Sequence, residues 1–310
     1  MTAKTLPWGC SVQRNSFFDE AINQLDLRKL WSYVEKTNDP DFRGDQVTQV
    51  MHYHSTEHMK QVTAIALWLL RQESHQSWQY DVCAFPLAVA CMVHDANHSL
   101  GQTSDAENIE RAVEFFELAL TKLEDKRLEE NRDTIIDLIR ITQFPYDEER
   151  APRNLIQRCI RDADILYGIQ PDVIDHVMDG LRDEVNSSPD MAFTQKEWAA
   201  GRVPFLSTIT MFTQTARDIM DWELSDGNDH NHQSRIDAWM NDGIYFSVTQ
   251  AHRLRPNMVV YCSTEDDSTP ARRLIERIED FGEGLNIIFD DDAGISLRNG
   301  ESIVYVERSK

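Results

Sequence analysis

His54 and His58 stand four residues apart in the stretch Tyr53-His54-Ser55-Thr56-Glu57-His58. On a helix that spacing puts both imidazoles on one face. Val62, Ile65 and Leu69 continue near that face, so the two rings look inward. Taken alone, two inward histidines are most often satisfied members of a core. The residues beyond them shift the reading. The apolar run from Ala84 to Val93 ends on His94-Asp95, with His98 and Gly101 just beyond. A carboxylate buried there without a partner would cost several kcal/mol. A divalent cation is the partner that also employs the neighbouring histidines. Further on, Ile160-Arg161-Asp162-Ala163-Asp164-Ile165-Leu166 sets another carboxylate in an apolar helix and supplies a fourth protein ligand.

In order and in kind, His58, the adjacent His94-Asp95 and the distal Asp164 resemble the H…HD…D signature of the HD superfamily of metal-dependent phosphohydrolases. More narrowly, Tyr-His-Ser-Thr-Glu-His-Met-Lys-Gln-Val at 53–62 is similar to a motif of the class I cyclic-nucleotide phosphodiesterases. His94-Asp95-Ala96-Asn97-His98 resembles their His-Asp-x-x-His. The resemblance covers residues 50–210, roughly, and implies a helical bundle of the HD/PDEase type. Carried over position by position, it implies that His58, His94, Asp95 and Asp164 hold a first ion, with Asp95 bridging to a second where one binds. His54 falls on the general-acid position. His98 and Glu107 are candidates for groups around those ligands or for a second ion, and Tyr53, Arg202 and Phe205 for substrate contacts. Mixed imidazole and carboxylate ligands suit zinc, manganese, iron, cobalt, nickel or magnesium and do not choose among them.

The implied reaction is hydrolysis of a phosphoester in a small nucleotide by metal-activated water, with an imidazole protonating the departing oxygen. A 3′,5′-cyclic nucleotide is the first substrate in view, and a nucleoside mono- or triphosphate the alternative. A metal-stabilised signalling or interaction module is the alternative of another class; its mark would be a missing ligand, and none is missing.

The pattern also departs from that family. Ser99-Leu100-Gly101-Gln102-Thr103-Ser104 carries an extra residue before the glycine, and no histidine follows His98 until His176. Glu107 reads equally well as a carboxylate favoured by the start of a helix. Where the phosphodiesterases hold the purine with a glutamine, this chain has Gly201-Arg202-Val203-Pro204-Phe205-Leu206. A guanidinium only donates hydrogen bonds and prefers phosphate or carboxylate. Arg202 is then either a phosphate contact or an ordinary solvated arginine, and Phe205 either a stacking clamp or core. Asp162, two residues before Asp164, points about 200° away on a helix and reads as a supporting or surface carboxylate. Arg158, Arg161 and Gln143 are weaker candidates, and His230 and His232 fall in a polar loop with no assigned role.

These residues need rigid elements, and helical periodicity supplies them from about residue 15 to 250. It predicts helices at about 15–34, 54–70, 81–95, 105–123, 127–142, 152–168, 171–185, 195–223 and 233–250. After Arg255 the pattern changes to strand at 258–262, helix at 270–281 and strands at 285–289 and 302–306. The expected fold is mainly α, a helical body over 1–254 followed by a small α/β (βαββ) unit over 255–310. That unit leaves room for a homo-oligomeric or protein partner.

Composition narrows the partners. The 310 residues hold 53 acidic and 31 basic side chains, a formal net charge of -22. Such a chain repels nucleic-acid polymers and anionic membranes at long range. There is no apolar run of about 18 residues and no secretory leader pattern, and the five scattered cysteines fit a reducing compartment, so a cytoplasmic protein is expected.

Overall fold

The computed structural model describes residues 11–38, 53–74, 76–146, 150–174, 176–188, 191–225, 231–242, 244–250, 259–262, 271–280, 284–289, 294–298 and 303–309. It is mainly helical. The helices are α1 Ser11–Gln24, α2 Arg28–Asn38, α3 Thr56–Glu73, α4 Ser77–Val93, α5 Asp105–Leu123, α6 Lys126–Glu130, α7 Arg132–Ile141 and α8 Leu155–Tyr167. After a 3₁₀ turn, Pro171–Val173, and a π-helical turn, His176–Leu181, come α9 Arg182–Asn186, α10 Gln195–Thr208, α11 Gln214–Glu223 and α12 His232–Asp242.

The middle of the bundle is α3, packed on both α4 and α8. From His58 to Leu70 every residue of α3 but Lys60 is buried, and α4 is buried without a break from Pro86 to Val93. An element apolar on all sides can only sit inside, which is why the end of α4 delivers His94 into the interior. The long helices expected from periodicity are often two. The 15–34 stretch breaks at Asp26, whose φ of 54° ends α1. The 127–142 and 195–223 stretches divide into α6 with α7 and α10 with α11, and 171–185 is one 3₁₀ turn, one π-helical turn and the start of α9.

The C-terminal expectation is corrected more deeply. The helix expected over 233–250 ends at Asp242, and β1 occupies Ile244–Gln250. Five strands come after it: β2 Val259–Cys262, β3 Ala271–Asp280, β4 Gly284–Phe289, β5 Gly294–Arg298 and β6 Ile303–Ser309. They form an antiparallel sheet in the order β1-β6-β2-β3-β4-β5, and no helix lies among the described residues of this region. The segment expected as a helix at 270–281 is therefore β3, paired on both sides. Its Leu, Arg and Glu content suits a helix locally, but pairing with β2 and β4 overrides that preference. A bulge between Ile275 and Arg277 breaks the alternation that would have marked it as a strand. Arg277 and Glu279, two residues apart on one strand face, pair across 3.2 Å. No helix among the described residues is long and apolar enough to cross a membrane.

Candidate metal centre

Three helices meet around His58, His94, Asp95 and Asp164. Ser55 caps α3 by accepting from the His58 backbone N–H, which fixes His58 in the first turn. His94 directly succeeds the last residue of α4, and its Nδ1 donates to the Cys91 carbonyl at 2.8 Å, which turns Nε2 to the centre. Asp164 lies on α8. Both histidines are buried, at 0% and 1% exposure.

The ligand atoms are spaced as the corners of a coordination polyhedron. His58 Nε2 is 3.3 Å from His94 Nε2, and each is 3.0 Å from Asp95 Oδ2. Asp164 Oδ1 is 3.2 Å from His58 Nε2 and 3.7 Å from His94 Nε2. Bonds of about 2.1 Å to a common ion put neighbouring ligands about 3.0 Å apart in octahedral and about 3.4 Å apart in tetrahedral geometry. The residues fit a divalent ion in charge as well, since two carboxylates balance it. The centre is charged even without one. Burial alone would raise the carboxyl pKa values and lower that of His94. Their mutual attraction reverses this, holding Asp95 and Asp164 well below the usual carboxylate range and His94 well above the usual imidazole range. His58 Nδ1 has no hydrogen-bond partner among the described residues.

A second group, His54, His98 and Glu184, adjoins the first. His54 Nδ1 lies 2.5 Å from Glu184 Oε2, and its backbone N–H donates to Glu184 Oε1 at 3.2 Å. Burial lowers the His54 pKa, but Glu184 and then Asp95 more than offset it and bring the imidazole to about 9. The His98 ring stacks on His54 with centroids 3.9 Å apart. His98 Nδ1 accepts from the Leu100 backbone N–H, and Nε2 meets the Asn108 amide nitrogen, each at 3.0 Å. Asn108 is fixed in that orientation because its Oδ1 accepts from Ser99 N–H at 3.0 Å. Burial, followed by the charge on His54, depresses His98 to about 3. Glu184 was not among the residues singled out from the sequence.

Gly101 holds the two groups in register. Its φ is +84°, and a Cβ there would stand 1.8 Å from the Glu184 carbonyl oxygen, so the loop after His94-Asp95 lies against the backbone that carries Glu184.

A cavity of about 580 Å³ is lined by all three residues of the second group and, of the first, by Asp164. Tyr53, His54, His98, Asp164, Arg202 and Phe205 all line it, as do Phe144, Tyr146 and Trp198, which sequence reasoning had not placed there. Phe205 and Phe144 meet edge to face, 5.9 Å apart. The remaining candidates go elsewhere. Glu107 is exposed and accepts from the Ser104 backbone N–H at 3.0 Å, closing the capping box of α5 as the helix-start reading has it, and it belongs to neither ligand group. Asp162 is buried, not on the surface, and accepts from the Phe212 and Thr213 N–H groups and the Thr213 hydroxyl to start α11. Arg158 is exposed, Arg161 lies 3.5 Å over the Tyr146 ring, and neither they nor Gln143 line the cavity. His232 is not in a loop but opens α12 and is buried; His230 lies outside the described residues. Compared with known families, curated proteins and solved structures, the chain matches none.

Proposed function

We propose that this chain is a metal-dependent phosphohydrolase that cleaves a phosphoester of a small nucleotide, with a 3′,5′-cyclic nucleotide as the substrate. One observation carries the reading: four ligand atoms converge next to an imidazole held by a carboxylate, and both groups contribute to the lining of one aromatic-walled cavity. A divalent cation held by His58, His94, Asp95 and Asp164 supplies Lewis-acid activation of water and stabilises charge on the phosphoryl oxygens. The chain's own residues do the rest. Glu184 takes His54 Nδ1 and leaves Nε2 as the atom that gives a proton to the departing oxygen. The Glu184 carboxylate on Nδ1 favours the protonated imidazole that this step needs. Phe205 and Phe144, packed edge to face, give the cavity an aromatic wall against which a base could rest.

The test is metal analysis together with a panel of cyclic and linear nucleotides, with Asp95→Ala as control. The expected result is a nucleoside monophosphate product without free phosphate. Turnover that survives Asp95→Ala, or bound metal without turnover of any phosphoester, would sink the proposal. Release of free phosphate or pyrophosphate from linear nucleotides would favour a nucleoside mono- or triphosphate phosphohydrolase, a reading that the cationic Arg202 in the cavity wall supports.

A further inference from the structure

Arg202 lies on α10, 7% exposed, with its guanidinium in the cavity wall beside Gly168. Its Nη2 would stand 3.4 Å from a Cβ placed on Gly168, and the Tyr53 hydroxyl 3.0 Å from it. A guanidinium has five N–H donors and keeps its charge at any working pH. The other buried arginines reach oxygen acceptors, Arg161 among them on the Arg150 carbonyl. Arg14 donates to Gln61, Gln170 and Asp172, and Arg235 to Glu223 and the Ile169 carbonyl. Arg202 has no hydrogen-bond acceptor and no ion-pair partner among the described residues, and its Nε is sealed from solvent; its guanidinium lies 5.4 Å from the Phe205 ring centroid, a contact that supplies no counter-charge. The charged neighbours do not compensate it: Arg235 is already paired with Glu223, and the buried His232, within the field of both arginines, is driven to its neutral form by burial and then by them.

An uncompensated buried charge is strongly destabilising. In a chain with 22 surplus negative charges, a carboxylate at this spot would have been the simplest remedy, and none is there among the described residues. The position suits a guanidinium whose counter-charge arrives with a ligand. A neutral base edge with two acceptors, such as that of guanine, would satisfy the donors but leave the charge unbalanced.

We propose that the substrate carries a second phosphate, distinct from the scissile phosphoryl group, and that Arg202 binds it. This rests on the metal-dependent phosphohydrolase reading above but sets its cyclic mononucleotide aside in favour of small nucleotides with two phosphates. Nucleoside bisphosphates and cyclic dinucleotides both present that chemistry.

Calorimetric titration of inorganic phosphate into the chelator-treated full-length chain tests the contact without any turnover. The wild type is expected to bind phosphate, and Arg202→Gln to weaken it by about tenfold or more, with Arg202→Lys between them. Without phosphate, Arg202→Gln is expected to keep or raise Tm, because it removes a charge that lacks a partner. Equal phosphate binding by wild type and Arg202→Gln, a Tm lowered by the substitution, or failure of the variant to fold would each overturn the proposal. On the metal-loaded chain, matched pairs separate the two sources. A nucleoside 3′,5′-bisphosphate is compared with the 5′-monophosphate, and a cyclic dinucleotide with a cyclic mononucleotide. The two-phosphate member of one pair should have the higher kcat/KM, and Arg202→Gln should erase that advantage through KM with kcat held. A guanine preference that Arg202→Gln abolishes while phosphate binding is unchanged would also overturn it. The phosphate titration stands or falls independently of Asp95→Ala, so its failure is distinct from failure of the hydrolase reading.

Discussion

The two polar groups at the end of the cavity solve opposite problems with the same side-chain types. In the group of His58, His94, Asp95 and Asp164, nitrogens and oxygens lie 3.0 to 3.7 Å from one another, and the two imidazoles present Nε2 to Nε2. Such a cluster is incomplete in itself and asks for positive charge at its middle. In the group of His54, His98 and Glu184, each side chain meets a local partner, Glu184 on His54 and Leu100 and Asn108 on His98. Both groups bring their side chains close enough to hold a metal ion; in the proposed reading the first holds it and the second holds a proton, and the difference lies in what each imidazole's second nitrogen meets.

Substitutions should separate these roles. The largest effect is expected from Asp95→Ala, which should remove bound metal and lower phosphoesterase activity by about 10⁴-fold or more. A chelator should lower Tm in the wild type but not in this variant, read by thermal melts. Next is His54→Asn, expected to lower kcat by about 10²- to 10⁴-fold while metal content by elemental analysis stays at the wild-type level. If His54→Asn loses the metal, the division between the groups is wrong. Gly101→Ala should destabilise by about 2 kcal/mol or more in urea unfolding, since its Cβ would overlap the Glu184 carbonyl. It should also depress kcat more than it depresses metal content.

The smallest effect concerns Asp105, at the cavity edge, whose carboxylate accepts from Phe144 N–H at 2.6 Å. Burial raises its pKa to about 6. The folded state then holds the proton more tightly than the unfolded one, so its contribution to stability is full below about pH 4 and is lost as pH rises through about 6. Asp105→Asn should therefore flatten the Tm against pH curve between pH 4 and 6, by at most about 2 kcal/mol because the group is partly in solvent.

How much could be read from the sequence depends on how local each signal is. His58, His94, Asp95 and Asp164 are legible because ligand types interrupt strongly apolar helices, and an interruption of that kind needs a reason. Glu184 was hidden because it lies in a run of 3₁₀, π and short α turns, where no single period assigns a face. Glu107 shows the reverse, a carboxylate near the site whose geometry is wholly explained by a helix start. The helical bundle was legible from periodicity, but its breaks were not, since Asp26 and the Ile209–Thr213 link act through backbone conformation and capping. The sheet was least legible, because β3 carries helix-favouring residues and is fixed by strands distant in the chain.

The stacking of His54 on His98 sets a proton inventory. Two imidazolium rings 3.9 Å apart would repel, and protonating His98 would put an N–H on Nδ1, the nitrogen that accepts from the Leu100 backbone N–H. The pair therefore stores one proton and never two. Any reaction run at this end of the cavity has a single proton to give, and must take one back from solvent before it can give another.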